Sequence, residues 1–115
     1  MMFKDQVAIV TGGGQGIGRA LCKAFAREGA AVVVADIDLA QAQNTVQLLK
    51  ASEATAFAIQ TDVSSATAIK ALVNTVLDRF SRIDILINNA GLGLFRSVEA
   101  CSEEEWDRVL NVNLK

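Results

Sequence analysis

The chemistry in this sequence begins with glycine. Thr11-Gly12-Gly13-Gly14-Gln15-Gly16-Ile17-Gly18 follows a short apolar run and leads directly into a stretch of helical period. A diphosphate is an anion that needs N–H donors at close range. A helix N-terminus supplies both the donors and the positive end of the helix dipole, and glycine lets the backbone come near. Gly12 can make the tight turn, Gly16 the close approach and Gly18 the tight packing of helix on strand, with Gly14, Gln15 and Ile17 completing the loop. So much glycine costs entropy on folding, and a purely structural turn rarely uses it. The spacing is informative. G-x-G-x-x-G fails in every register, because Ile17 stands where the third glycine would fall when counting starts at Gly12. A P-loop is excluded because no Gly-Lys-Ser/Thr follows. The pattern that fits is T-G-x-x-x-G-x-G.

A second group lies about 20 residues further on, where a dinucleotide fold places the carboxylate that accepts hydrogen bonds from ribose hydroxyls. Asp36 holds that position. It could instead cap the next helix, but Asp38 is better placed for that, which leaves Asp36 for a ligand. A carboxylate here repels a 2′-phosphate. No Arg or Lys is close by in the chain to hold one, and Gln15 and Ile37 are uncharged. The expected cofactor is therefore NAD, preferred over NADP.

The sequence also limits what is possible. It contains no His and no Tyr, so neither an imidazole base nor a phenol proton donor is present in these 115 residues. Cys22 and Cys101 lack metal-ligand spacing, and no metal site is expected; reduced thiols fit better than a disulfide. A net charge of -2 speaks against a nucleic-acid partner. No apolar run is long enough to cross a bilayer, and Met1 to Asp5 is too short and mixed for a secretory signal. The expectation is a cytoplasmic protein with no membrane partner.

The elements that must position these groups alternate. Strand-length apolar runs fall at Val7–Val10, Ala31–Ala35, Ala56–Gln60 and Ile83–Ile87, the last interrupted only by Asp84. Helical spacing relates Ile17, Ala20, Leu21, Ala24 and Phe25, with Gly29 at the expected C-terminal cap. It recurs through Leu39, Ala42, Val46 and Leu49, and most cleanly through Ile69, Leu72, Val73, Val76, Leu77 and Phe80. Ser102-x-x-Glu105 reads as a capping box opening a last helix. Strands that are apolar without alternation are covered on both faces, and strand–helix repetition implies right-handed βαβ units. The fold class is α/β, a doubly wound, Rossmann-like parallel sheet in one domain over 1–115, with no internal boundary.

With these residues in place, the chain resembles the short-chain dehydrogenase/reductase family. Four elements match in order: Thr11-Gly12-x-x-x-Gly16-x-Gly18, Asp62-Val63 after the third strand, Asn88-Asn89-Ala90-Gly91 after the fourth, and Asn113 in the last helix. The resemblance implies a strand order 3-2-1-4. It implies that Asp62 bonds the adenine amino group, that Val63 lines the adenine pocket, and that Asn89, Ala90 and Gly91 line the ribose side of the cofactor. Asp62 could alternatively be a turn carboxylate leading to an N-cap at Ser64 or Ser65. Asn113 corresponds to a catalytic asparagine whose backbone carbonyl holds a water in a proton relay. Counting from Trp106 in threes and fours puts it on the buried face of its helix, where an ordinary hydrogen-bonded core Asn is the other reading.

The family also depends on a Ser and a Tyr-x-x-x-Lys pair, and this chain has no Tyr. The chain is accordingly expected to be the cofactor-binding half of an NAD-dependent dehydrogenase/reductase, truncated after the fourth strand and the following helix, and inactive alone. The intact enzyme would transfer hydride between NAD and a small carbonyl or alcohol substrate, as a homo-oligomer. A dinucleotide-binding module without turnover is the alternative.

Overall fold

The computed structural model describes residues 1–87 and Asn89. Four strands and three helices alternate: β1 (Val7–Thr11), α1 (Gly16–Arg27), β2 (Ala31–Asp36), α2 (Leu39–Ala51), β3 (Ala56–Gln60), α3 (Ala66–Phe80) and β4 (Ile85–Ile87). The strands form one parallel sheet in the order β3-β2-β1-β4, as expected.

Both faces of this sheet are covered, which is why its strands do not alternate in polarity. Ala8, Val10, Val32 and Val34 pack toward Cys22, Ala42, Val46 and Leu49 of α1 and α2. Their neighbours Val7, Ile9, Val33 and Ala35 face the other way, toward Leu72 and Val76 of α3. Every residue of β1 is buried, so it is the centre of the core.

The helix ends follow local chemistry. The Asp38 carboxylate accepts from the Gln41 N–H at 3.2 Å and caps α2, while the Ser65 hydroxyl accepts from the Ala68 N–H at 3.1 Å and caps α3. Between the two candidates for the α3 cap, Ser65 therefore takes the role. Gly29 sits just past α1 with φ +93, where its N–H donates to the Ala26 carbonyl at 3.0 Å.

Two expectations need correcting. The apolar positions of α1 do not all face the sheet: Ile17 is 74% exposed, and Ala20 and Ala24 are exposed too. Leu21 and Phe25 pack partly buried against the core, and Gly18, expected to pack on the strand, is buried together with Cys22. A helix pressed this close to the end of β1 presents its small residues. The fourth strand is also shorter than the apolar run. At Asp84 the carboxylate accepts from the Val7 N–H at 2.8 Å, doing the work of a ladder carbonyl, and also pairs with Arg82. Regular strand begins only at Ile85. The helix expected from Ser102 lies outside the described residues.

Candidate functional site

The site lies at the carboxyl ends of the strands. At Gly12, φ is +65, and its N–H donates to the Ala35 carbonyl at 2.8 Å, so the chain turns sharply off β1 while still tied to β2. Below the turn, the Thr11 hydroxyl donates to the Ile87 carbonyl at 3.2 Å and accepts from the Asn89 N–H at 3.0 Å. The Asn89 side-chain amide reaches the Gly12 carbonyl at 3.4 Å. These bonds join the glycine loop to the end of β4 across more than seventy residues of sequence.

Gly16 and Gly18 stand in opposite surroundings. A Cβ at Gly18 would overlap the Gly12 carbonyl oxygen and come within 2.6 Å of the Asn89 amide nitrogen. A Cβ at Gly16 would meet nothing within 4 Å. Packing within the described residues therefore requires a glycine at 18, whereas the open space above 16 admits a ligand. Unlike α2 and α3, α1 has no side-chain cap: Gln15 occupies the N-cap position without such a bond, and no acidic residue lies in the first turn. Its leading N–H groups and the positive end of its dipole face outward.

Asp36 ends β2 beside this loop. Its Oδ2 accepts from the Gly14 N–H at 2.9 Å and its Oδ1 from the Asp38 N–H at 3.0 Å. The carboxylate is thus already oriented by backbone, with lone pairs left for further donors. Gly12, Gln15, Asp36, Ile37, Thr61, Asp62, Val63 and Asn89 together line an open cleft of about 450 Å³. Of these only Thr61 escaped the sequence reading. It is 2% exposed, and its N–H donates to the Asp36 carbonyl at 2.9 Å, continuing the β2–β3 ladder to the rim. Its position, immediately before Asp62 at the end of a strand, was the available signal.

At Asp62, Oδ1 accepts from the Ser64 hydroxyl at 2.6 Å and the Ser64 N–H at 3.0 Å. The hydroxyl bond, followed by the backbone bond, holds this exposed carboxyl below the usual carboxylate range. This is the geometry of the turn-carboxylate reading. Cys22, beneath the loop, is buried, and burial pushes its thiol up to about 12.

The structure alters the charge picture. No cation neighbours Asp36 in sequence, yet the fold brings Arg19 to the loop, where its guanidinium donates to the Gly14 carbonyl, to Gln41 Oε1 at 3.2 Å and to Thr45 Oγ1 at 2.9 Å. Two larger hollows, of about 640 and 530 Å³, lie at the opposite end of the sheet around Met1, Ala26 and Ala54. They contain none of the residues singled out for chemistry. Among the described residues no group of three or more His, Cys, Asp or Glu could hold a metal, and no helix is long and apolar enough to cross a membrane. Ala90, Gly91 and Asn113, like Asn88, lie outside the described residues.

Comparison with known proteins gives consistent matches. The family model for short chain dehydrogenase matches residues 6–115. Galactitol 2-dehydrogenase of Agrobacterium fabrum is 38% identical over 115 residues, covering 100% of this chain and 44% of its own. A metagenomic short-chain oxidoreductase solved in complex with NADP superposes with a TM-score of 0.77 at 33% identity, over 97% of this chain and 51% of that one. An oxidoreductase from Haemophilus influenza with bound NAD gives 0.73 at 29% identity, over 77% and 32%. The chain spans about half the length of the curated relatives it matches, or slightly less.

Proposed function

Because the chain belongs to the short-chain dehydrogenase family, we propose that it carries the NAD-binding half of an enzyme that transfers hydride between NAD and a small alcohol or carbonyl substrate, with NAD held across the carboxyl ends of its strands. The observation that carries this reading is the uncapped N-terminus of α1, opening on a cleft whose rim holds Asp36. The open space above Gly16 and the lack of first-turn acid both suit a diphosphate.

Each residue then has a role. The N–H groups around Gly16 hold the diphosphate. Asp36 accepts from the adenine ribose hydroxyls, and its negative charge rejects a 2′-phosphate, giving NAD preference over NADP. Ile37 and Val63 form apolar walls for the adenine, whose amino group donates to Asp62. Asn89, Ala90 and Gly91 border the ribose toward the nicotinamide, and the Asn113 carbonyl orients a water for proton relay. Bound there, NAD would supply a hydride acceptor for an alcohol carbon, and its reduced form a hydride donor for a carbonyl. These 115 residues contain no tyrosine, so no phenol among them can serve as the proton donor. We further propose a cytoplasmic, homo-oligomeric enzyme, in keeping with the free, buried thiol of Cys22.

The reading is tested by offering the protein NAD with a panel of alcohols and NADH with the matching carbonyls, following nicotinamide absorbance and, separately, binding. Saturable cofactor binding supports it. Failure to bind either nicotinamide dinucleotide overturns it.

A further inference from the structure

Two carbonyl groups of the glycine loop point away from the cleft into a bracket built from α1 and α2. The Gly13 carbonyl accepts from the Thr45 hydroxyl at 3.0 Å, with the Cys22 thiol 3.9 Å away. The Gly14 carbonyl accepts from the Arg19 guanidinium, whose Nε also donates to Thr45 Oγ1. The described peptides are all trans, and in a trans peptide the C=O of one residue and the N–H of the next point in opposite directions. Holding the Gly13 oxygen on Thr45 therefore turns the Gly14 N–H toward Asp36, where it is found at 2.9 Å. Holding the Gly14 oxygen on Arg19 in the same way turns the Gln15 N–H toward the cleft that Gln15 lines.

We propose that Arg19 and Thr45 are positioning residues that hold the loop's carbonyls away from the diphosphate, keeping the Gly14 N–H on Asp36 and leaving the Gln15 N–H for the anion. Glycine peptides rotate easily, and a flipped peptide would aim carbonyl lone pairs at an anion. Arg19 lies near the start of α1, where a cation opposes the helix dipole, so helix stability alone does not favour it. For an anion at that terminus the same charge is favourable. Thr45 is fully buried, and its hydroxyl is satisfied by this bracket.

The proposal rests on the dinucleotide reading, and the test separates the two. Arg19→Met and Thr45→Val are compared with the parent protein by calorimetry against ADP-ribose and against adenosine, which lacks the diphosphate. ADP-ribose binding is expected to weaken by roughly tenfold or more in Arg19→Met, the scale of a lost charged hydrogen bond, while adenosine binding holds. Arg19→Lys should recover part of the loss, since one ammonium can reach one carbonyl. Parallel weakening of both ligands, or no change in either, overturns the proposal. If the parent protein binds neither ligand, the dinucleotide reading fails, and amide NMR of the free protein decides the positioning role. Shifted Gly14 and Gln15 amide resonances in Arg19→Met uphold it, and unchanged ones overturn it.

Discussion

The Gly14 N–H donates to Asp36 Oδ2 at 2.9 Å, joining the glycine loop to the end of β2 across 22 residues of sequence. A Cβ at Gly14 would stand 2.6 Å from that oxygen and 2.8 Å from the Cβ of Gln41. Gly14→Ala should therefore displace Asp36 or α2. The expected cost is about 1–3 kcal/mol of stability, the usual range for overpacking, together with a narrowed preference for NAD over NADP. Urea denaturation and paired cofactor titrations check this. Unchanged stability with unchanged preference would show that the link is dispensable.

Gly16 and Gly18 should separate binding from folding. Gly18→Ala drives a methyl into the Gly12 backbone, which cannot rotate aside, and should lower stability by roughly 3 kcal/mol or more. Gly16→Ala meets no neighbour but must hold φ near +59, a left-handed strain of about 1–2 kcal/mol. Its larger effect should be on NAD affinity, because the methyl enters the space left for the ligand. Thermal unfolding beside calorimetry reads both effects, and the reverse ranking would refute the assignment.

Thr11→Val keeps the shape at the end of β1 but removes the hydroxyl shared by the Ile87 carbonyl and the Asn89 N–H. Leaving two partly buried partners unsatisfied should cost about 1–3 kcal/mol. The Asn89 amide should also exchange with solvent faster, which hydrogen exchange would detect.

The buried Cys22 thiol supplies a pH dependence. Its folded value of about 12 lies above the ordinary 9.0, so the folded state retains the proton over a range where the unfolded chain has lost it. Its contribution to stability is complete below pH 9.0 and is lost as pH rises toward about 12. Cys22→Ala should flatten the alkaline part of the stability profile. In a Cys101→Ser background, the native protein should react with thiol reagents far more slowly than the unfolded chain.

Much of this site was legible because its cues are local. The four apolar runs became the four strands; T-G-x-x-x-G-x-G became the turn and the start of α1; Asp38 became a cap, leaving Asp36 on the rim. The illegible parts depend on residues that meet only in three dimensions. Nothing local singles out Arg19, and its part in the loop follows only from the fold that sets its guanidinium against Gly14. Thr45 interrupts an apolar face for no local reason, and its reason is the Gly13 carbonyl 32 residues away. The α1 face was misread only in part: hydrophobicity singles out Ile17, which is exposed, and passes over Cys22, which close packing beside Gly18 buries. The start of β4 was misplaced because Asp84 substitutes a carboxylate for a ladder carbonyl.

If Asp36 selects NAD, calorimetric titration of the protein and of Asp36→Ala with NAD and NADP will show it. The parent protein should bind NAD more tightly than NADP, the gap should shrink or invert in the variant, and Asp36→Ala combined with Ile37→Arg should move preference to NADP. Equal or tighter binding of NADP by the parent protein would contradict it.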